Sequence, residues 1–301
     1  MPPHLIQRVT ILGTGLIGGS FALALRKYTT DIRIAGWDRA EALREARSLQ
    51  IIDDTHHGDL APALRGADLI YIALPIGATL DLLPEIARHA PGHALVTDAC
   101  STKFRIAQAA AENFSGGPIF LGGHPMAGKE VSGAANADAD LFRGNPYALI
   151  TDEEKNSASA AEPESPDAPR DPRISAFVKI LEKIGARPFW LGAEQHDNAV
   201  ALASHLPQLA AVALGSFLYD RLDENGLPIT LAGPGLRDSL RLAGSSYSTW
   251  RDIVLTNREM IAETLDQFAR RLDDLRDRLG SRELEADFDS ANELYKLLRG
   301  L

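Results

Sequence analysis

The chain contains one cysteine, Cys100, among its 301 residues, so it cannot form an internal disulfide bond. Small secreted scaffolds held together by disulfides are therefore excluded, and a reducing compartment is the simplest setting. The chain also lacks a charged-then-apolar leader at residues 1–8, and we expect no apolar run long enough to span a bilayer. These absences predict a cytoplasmic protein that is not inserted into a membrane.

Basic residues are outnumbered by acidic ones, 31 to 41, which leaves a formal net charge of -10. Proteins that bind nucleic acids or anionic membranes do so with a surplus of basic residues. We therefore expect neither of those partners and predict a small molecule instead. The hydrophobic share of 45% is that of an ordinary globular protein, and the length allows two domains.

A strand, a glycine-rich turn and a helix follow one another near the start of the chain. Residues 8–12 are an apolar run, and residues 19–27 have helical spacing. The turn between them consists of Gly13, Thr14, Gly15, Leu16, Ile17 and Gly18. In such turns the first glycine makes the bend, the second lets backbone approach a pyrophosphate, and the third lets the helix pack on the strand. The six residues are therefore predicted to bind a dinucleotide.

The next predicted strand, at residues 32–37, ends at Asp38, twenty residues beyond Gly18. A carboxylate there accepts hydrogen bonds from the adenosine ribose and opposes a 2′-phosphate, so NAD is favoured. Arg39 could instead bind that phosphate, which leaves NADP open. In the alternative reading, Asp38 is an ordinary helix N-cap. Leu74 and Pro75, at the end of a strand predicted over residues 67–74, are expected beside the cofactor.

Strands and helices continue to alternate as far as Leu191, which predicts an α/β Rossmann-like domain over residues 1–191. The predicted helices are 40–49, 76–89, one through 113 with Ser101 and Thr102 as N-cap candidates, and 174–184. The predicted strands are 95–98, 118–121, 147–150 and 188–191. Residues 151–173 are polar, with almost no large apolar side chains, and are expected to form a mobile insertion.

Strands largely disappear after Gln195, which predicts an all-α domain over residues 192–301. Residues 198–219 are almost wholly apolar and are predicted to form a helix buried on all sides, with a few polar groups inside it. Farther on, six apolar residues recur at heptad spacing, which favours a homodimer formed through this domain, although a contact within one chain is the alternative. They are Ile261, Leu265, Phe268, Leu272, Leu275 and Leu279.

One histidine stands among glycines, in the run from Leu121 to Gly128. Gly122 and Gly123 precede His124 and allow tight backbone geometry, and Pro125 restrains the turn that follows. The run comes directly after the predicted strand at 118–121, so the imidazole is expected in a loop at the edge of the sheet. A neutral imidazole can act there as a general base. The alternative is a turn in which His124 only hydrogen-bonds the backbone.

With these residues in place, the chain resembles the prephenate and arogenate dehydrogenases over most of its length. Six motifs occur in the order expected of that family: Gly13 to Ser20, Asp98 to Lys103, Gly122 to Gly128, Ser204 to Pro207, Leu236 to Arg241, and Trp250 to Asp252. The resemblance implies oxidative decarboxylation of a cyclohexadienol on the tyrosine pathway, with no metal. The His124 and Ser204 motifs are its most specific parts.

The resemblance assigns His124 to the ring hydroxyl of the substrate and Ser101 to the same hydroxyl or to His124. It assigns Arg241 to a substrate carboxylate, which suits the planar fork of a guanidinium. The remaining substrate-binding candidates are His205, Gln208, Trp250 and Lys129, of which Lys129 is a flexible point charge beside the His124 loop. For His205, a hydrogen-bonded core histidine is the alternative.

The chain departs from the family pattern at Gln208, where many prephenate-using members carry a histidine. A neutral amide adds no positive charge near the substrate carboxylates, so the sequence does not decide whether the substrate is prephenate or arogenate. Prephenate is the prediction made here. Two other classes are weighed. A β-hydroxyacid or imine-reducing dehydrogenase usually relies on a lysine in its helical domain, and this chain has none between Lys183 and Lys296. A dinucleotide sensor would not need His124, Ser101 and Arg241 together.

Overall fold

The computed structural model describes residues 6–129, 131–151, 171–222 and 226–300. Within this part of the chain, six parallel strands form one sheet in the order β3-β2-β1-β4-β5-β6. They are β1 (Arg8–Leu12), β2 (Arg33–Trp37), β3 (Asp54–His56), β4 (Leu69–Ile72), β5 (Leu95–Asp98) and β6 (Ile119–Leu121). This is the strand order of a doubly wound dinucleotide-binding fold, so the predicted α/β class is confirmed.

Helices cover both faces of this sheet, and the central strands are apolar because neither face meets water. All four residues of β4 and of β5 are buried. The helices are α1 (Leu16–Tyr28), α2 (Ala40–Ser48), α3 (Ala61–Leu64), α4 (Ile76–His89) and α5 (Phe104–Asn113). On one face, the ring of Phe21 stacks on that of Tyr71 with centroids 4.0 Å apart. Strand β4 is shorter than the strand predicted at 67–74.

A second, three-stranded sheet carries His124, which corrects the prediction of a loop. Its strands are β7 (Gly123–Pro125), β8 (Pro146–Thr151) and β9 (Arg187–Gly192), and helix α6 (Pro172–Lys183) lies between the last two in the chain. Strand β7 pairs antiparallel with β8, so that His124 lies opposite Ala148. A Cβ on Gly123 would stand 2.8 Å from the carbonyl oxygen of Asp98. Gly123 is thus required for close packing of β7 on β5, and not for a turn.

The insertion predicted at 151–173 lies outside the described residues except at its two ends. Thr151 is the last residue of β8, and Asp171 is the N-cap of α6, where its carboxylate accepts a hydrogen bond from the N–H of Arg173 at 2.9 Å.

Beyond Gly192 the described residues form helices and no strand, which confirms the predicted all-α region. The helices are α7 (Ala193–Val200), a π turn (Ala201–His205), α8 (Leu206–Tyr219), α9 (Leu227–Thr230), α10 (Pro234–Leu240), α11 (Tyr247–Thr256), α12 (Arg258–Asp277) and α13 (Glu285–Arg299). Because β9 ends at Gly192 and α7 begins at Ala193, we retain the boundary between Leu191 and Gly192 as our proposal for the two domains.

The continuous helix from Ala193 to Tyr219 is not buried on all sides, so that prediction was wrong for the single chain. Its apolar residues Leu202, Phe217 and Tyr219 are 52%, 51% and 75% exposed. By length and composition these 27 residues could cross a membrane, with 28% of the most apolar window buried, so the expectation of no such run was also wrong. The same helix holds His196 and Asp197 buried against polar groups of the protein, which a helix surrounded by lipid would not do.

The apolar surface extends onto the last two helices. Along the predicted heptad row, Ile261 is buried, whereas Phe268 and Leu272 are 36% and 52% exposed. Helix α13 adds Phe288 and Leu298, which are 64% and 79% exposed. Exposed large apolar side chains in such number on one domain are typical of a site of association with another protein surface.

Candidate active site

A cavity of about 1440 Å³ lies at the carboxyl ends of the parallel strands, between the sheet domain and the helices that follow it. Its lining contains most of the predicted cofactor residues: Gly13, Thr14, Gly15, Leu16, Ile17, Asp38, Arg39, Leu74 and Pro75. Ser101 lines it as well, together with Thr249 and Asp252 of α11. Nine of the ten predicted cofactor residues and the predicted catalytic residue Ser101 therefore share a single cavity, whose lining does not include His124.

The glycines of the turn have three different physical roles. Gly13 has φ +93°, and a Cβ there would stand 2.4 Å from the carbonyl oxygen of Ala73. Gly15 has nothing within 4 Å of its Cβ position, so a ligand can approach its backbone. Gly18 does not line the cavity, because it lies where a Cβ would meet the carbonyl oxygen of Gly13 at 1.9 Å. These are the bend, the close approach and the helix packing predicted from the sequence.

Helix α1 begins at this turn with no side-chain cap and no acidic residue in its first turn. The free N–H groups and the positive end of the helix dipole therefore face the cavity edge, where an anion is stabilised. The carboxylate of Asp38 accepts hydrogen bonds from the N–H and hydroxyl of Thr14 at 2.8 and 3.1 Å, which ties the turn to the end of β2. Asp38 is not the N-cap of α2, since that position is Arg39.

His124 is the first member of a chain of three side chains. Its Nδ1 lies 2.9 Å from Nε2 of His196, and Nδ1 of His196 lies 2.8 Å from Oδ1 of Asp197. His124 is half-buried, whereas His196 and Asp197 are only 1% and 2% exposed. Burial is the main cause that lowers the pKa of His124 well below 6.5, with neighbouring His196 and Lys103 as further causes. The imidazole is therefore neutral at pH 7 and able to accept a proton.

A buried ion pair holds the strand that carries His124. The ammonium of Lys103 contacts the carboxylate of Asp98, and both side chains are 0% exposed. Lys103 also donates to the carbonyl of Gly123 at 2.7 Å, and Asp98 accepts from the N–H of Gly123 at 3.1 Å. Both backbone groups of Gly123 are thereby bound, which restrains the position of the next residue, His124.

Carboxylates from the helical region cap two helices of the sheet domain. Asp197 accepts from the N–H groups of Lys103 and Phe104 at 2.7 and 2.9 Å, at the start of α5. Asp252 accepts from the N–H of Gly77 at 3.0 Å, in the first turn of α4. The prediction that Ser101 and Thr102 cap α5 was wrong, because Asp197 satisfies these donors instead. The hydroxyl of Thr102 is paired with that of Thr256 at 2.7 Å.

Four substrate-binding candidates, His205, Gln208, Arg241 and Trp250, lie in the helical domain, and none of them is in the lining of the cavity. His205 is buried, its Nδ1 accepts from Nδ2 of Asn257 at 3.2 Å, and its ring meets that of Trp250 edge to face with centroids 5.7 Å apart. Burial lowers the pKa of His205 to about 4, so it is neutral at pH 7. Its contacts are those of a structural histidine that keeps Nε2 for another partner.

Gln208 donates from Nε2 to the carbonyl of Leu242 at 2.8 Å. That bond ties helix α8 to the 3₁₀ turn Arg241–Gly244, whose first residue is the exposed Arg241. Lys129 is not brought to the cavity. Its ammonium pairs with the carboxylate of Asp138 at 3.0 Å on the surface, so the assignment of Lys129 to the substrate stays a prediction.

The only cysteine is not a nucleophile. Cys100 is buried between β5 and Ser101, and burial raises the pKa of its thiol to about 12, with Asp98 as a further cause. Reasoning from sequence missed His196, Asp197, Lys103, Asp98 and Asn257 as members of the site. Two signals were available: Asp98 and Lys103 are the ends of the family motif that contains Ser101, and a His-Asp dipeptide stands at 196–197, at the start of an otherwise apolar helix.

The comparisons with known proteins agree with this geometry. A model of the prephenate dehydrogenase nucleotide-binding domain matches residues 21–162, and one of the prephenate dehydrogenase dimerization domain matches residues 192–299. The chain is 33% identical over 283 residues to the prephenate dehydrogenase of Lactococcus lactis, covering 93% of this chain and 73% of that protein. It is 30% identical over 280 residues to the cyclohexadienyl dehydrogenase of Zymomonas mobilis, covering 92% and 90% respectively.

Solved structures of prephenate and arogenate dehydrogenases are also similar to this chain. The prephenate dehydrogenase of Aquifex aeolicus, crystallised with hydroxyphenyl propionate and NAD+, is 26% identical with a TM-score of 0.82, and the match covers 97% of both chains. The arogenate dehydrogenase of Synechocystis is 27% identical with a TM-score of 0.73, covering 97% of this chain and 98% of that one. On the sequence motifs, the fold and these matches, the chain belongs to the prephenate dehydrogenase family.

Proposed function

We propose that this chain catalyses the NAD-dependent oxidative decarboxylation of prephenate to 4-hydroxyphenylpyruvate, in tyrosine biosynthesis. The observation that carries the proposal is the neutral imidazole of His124, whose ring is hydrogen-bonded to His196 and whose preceding residue is held by Lys103 and Asp98. Asp98 ends strand β5 three residues before Ser101, which lines the cavity that fits a dinucleotide. Family membership outweighs a dehydrogenase of another class and a dinucleotide sensor. A cytoplasmic location remains part of the proposal.

The cavity fits NAD on features of this chain alone. The bend at Gly13, the open space at Gly15 and the uncapped start of α1 form a cradle for a pyrophosphate. The Asp38 carboxylate has lone pairs beyond those that Thr14 uses, and these can accept from ribose hydroxyls. We retain the preference for NAD over NADP on this charge, with Arg39 as the residue through which NADP would bind.

When bound, NAD supplies the acceptor for the hydride that leaves C4 of the substrate. As that hydride leaves, Nε2 of His124 accepts the proton of the C4 hydroxyl, and the oxygen becomes a carbonyl. The bond between C1 and its carboxylate then breaks, CO₂ leaves, and the electron pair moves through the ring to this oxygen. His124 returns the proton to the oxygen of the new phenol, so the reaction releases no net proton.

The other residues bind and orient the substrate. Ser101 lines the cavity and is assigned to the same hydroxyl or to His124, and Arg241 is assigned to a substrate carboxylate. His205 and Trp250, whose rings meet edge to face, are assigned to one side of the substrate by the family resemblance. Gln208 holds the turn that carries Arg241.

Arogenate, or both substrates, is the second candidate function. At position 208, where a histidine could add positive charge, this chain has the neutral amide of Gln208, which donates a hydrogen bond to the carbonyl of Leu242. The relatives include a cyclohexadienyl dehydrogenase and an arogenate dehydrogenase.

We further propose that the chain forms a homodimer through the helical domain. A dimerization-domain model matches this region, and the exposed apolar residues of α8, α12 and α13 supply a surface for a second copy. Light scattering over a range of concentrations tests this, and a monomer at every concentration would contradict it.

The test of function is a spectrophotometric assay of nicotinamide reduction, with prephenate and arogenate each offered NAD and NADP. We expect turnover with prephenate and NAD. Turnover with arogenate alone would replace the proposed substrate by the second candidate. A folded protein that binds NAD but turns over neither substrate would reject the proposed reaction.

A further inference from the structure

The side chains of His124, His196 and Asp197 form a hydrogen-bonded chain across the contact between the two domains. His124 lies on β7, whereas His196 and Asp197 lie on the first helix of the helical domain, 72 residues later in the chain for the histidine pair. The two distances, 2.9 Å and 2.8 Å, are hydrogen-bond lengths, and the two imidazole rings meet edge to face at 65°. The proposed function uses only the first member of this chain.

The donors and acceptors along the chain determine the tautomer of each ring. An ionised carboxylate only accepts, so Nδ1 of His196 must donate to Asp197. A neutral His196 then presents the lone pair of Nε2, to which Nδ1–H of His124 donates. His124 is left with an unprotonated Nε2. This is the tautomer that can accept a proton from a substrate hydroxyl.

The same geometry determines where a proton is best held. The Asp197 carboxylate accepts from the N–H groups of Lys103 and Phe104 at the start of α5, where the helix dipole stabilises negative charge. An imidazolium on His196 would therefore lie directly against a stabilised carboxylate. One on His124 would lie a full ring farther from that charge.

We propose that His196 is a positioning residue for His124, one that fixes its reactive tautomer and receives the proton that His124 takes from substrate. Since the reaction returns that proton to the product oxygen, His196 and Asp197 form a temporary proton store between the two halves of the reaction. The inference rests on the proposed function. It adds that the helical domain supplies the residue that fixes the tautomer of the catalytic base, His124.

The other charged and titratable groups near the pair are compatible with this assignment. Lys103 faces His124 and disfavours its protonation, although Asp98 neutralises the ammonium. His205 is neutral at pH 7 because burial lowers its pKa to about 4. Asp197 is thus the anion that the structure places in direct contact with the imidazole pair.

Two substitutions separate the two roles of His196. In His196→Gln the side-chain oxygen can occupy the place of Nε2 and accept from His124, but it cannot be protonated. In His196→Phe the ring volume stays and both roles are lost. The matched control is His93→Gln, which alters a half-exposed histidine 3.4 Å from Asp68 that does not line the cavity. Each variant is assayed as the full chain, for kcat and kcat/KM against pH and for melting temperature.

We expect His196→Gln to lower kcat roughly tenfold and His196→Phe roughly a hundredfold or more, within the range that general-base catalysis supplies. In His196→Gln the acid limb of kcat/KM should move to lower pH by about one unit, because the proton must then reside on the desolvated His124 alone. If His196 had only a structural role, His196→Gln would lower kcat and the melting temperature but leave the acid limb of kcat/KM at the same pH. That result, or equal kcat in the Gln variant and the His93 control, would overturn the proposal.

A second measurement does not depend on turnover. Long-range ¹H–¹⁵N spectra of the histidine-labelled protein report the tautomer and protonation of each imidazole, with the substitutions providing the assignments. We expect His124 as the Nδ1–H tautomer, and proton uptake at His196 before His124 as the pH falls. An Nε2–H tautomer of His124, or first uptake on His124, would reject the relay. These spectra decide the matter even if neither prephenate nor arogenate is turned over, which would reject only the proposed function.

Discussion

The buried pair of Lys103 and Asp98 provides the sharpest test of how His124 is held. Replacing Lys103 by Met keeps the apolar stem and the backbone N–H that Asp197 caps, but it removes the ammonium. Asp98 then has no cation, and the carbonyl of Gly123 loses its partner. Because both side chains are 0% exposed, water cannot replace the lost contacts without opening the structure.

The expected magnitude follows from these contacts. Breaking a buried ion pair by removing one member costs about 3–5 kcal/mol. Asp98 keeps the N–H donors of Cys100 and Gly123, which places the loss near the lower end, at about 3 kcal/mol. At roughly 2–4 °C per kcal/mol for a domain of this size, the melting temperature should fall by about 6–12 °C.

Activity should fall as well, since β7 loses one of its two anchors at Gly123. A displacement of about 1 Å at a catalytic group lowers the rate by up to about a hundredfold, so we expect kcat to fall roughly ten- to a hundredfold. The double variant Asp98→Asn, Lys103→Met leaves no uncompensated charge, so it should recover much of the lost melting temperature.

The assay combines thermal unfolding with steady-state kinetics, and Lys183→Met, at an exposed lysine of α6, is the matched control. If Lys103→Met melts at the same temperature as the control and keeps its kcat, the ion pair does not hold the site and this reasoning is refuted. If the double variant is no more stable than Lys103→Met, the loss arises from packing and not from the buried charge.

Three further substitutions test the assigned roles. His124→Asn should lower kcat by roughly two to four orders of magnitude with a smaller effect on KM, as loss of a general base does, and an unchanged kcat would remove His124 from the mechanism. In His196→Gln, where His124 alone takes up the proton, kcat/KM should fall only below pH 6.5, because burial lowers the pKa of His124 well below that value; a limb above pH 6.5 in this variant would contradict this. Arg241→Ala should raise the KM for prephenate roughly ten- to a hundredfold, through loss of a charged pair, while binding of NAD measured by titration stays the same. Asp38→Ala should weaken NAD about tenfold and NADP less, and equal losses for both would count against its role at the ribose.

The exposed apolar residues of the helical domain could be identified as apolar from the sequence, but the structure was needed to show that the single chain leaves them uncovered. An apolar run with few charges predicts burial but does not say what buries it. Within one chain, Phe217 and Tyr219 of α8 are exposed, so burial on all sides would require a second surface. The heptad row from Ile261 onward favoured a second copy for the same reason, and its outer members are exposed here.

The sequence by itself determined the features that depend on neighbours along the chain. The glycine turn, the alternation of strands with helices, and the Asp38 and His124 positions all follow from local spacing and from the conformations that glycine permits. The helix at 76–89 and the strand at 95–98 begin and end where they were predicted, because the spacing of apolar residues changes at those positions.

Only the tertiary structure decided which distant groups share a hydrogen bond. His196 meets His124 from 72 residues away, Asp197 caps α5 from 93 and 94 residues away, and Asp252 caps α4 from 175 residues away. Such contacts leave no periodic trace in the sequence, because they depend on how two domains pack and not on the order of residues within either. The glycine turn could therefore be predicted from the sequence, whereas the support of His124 required the packed structure.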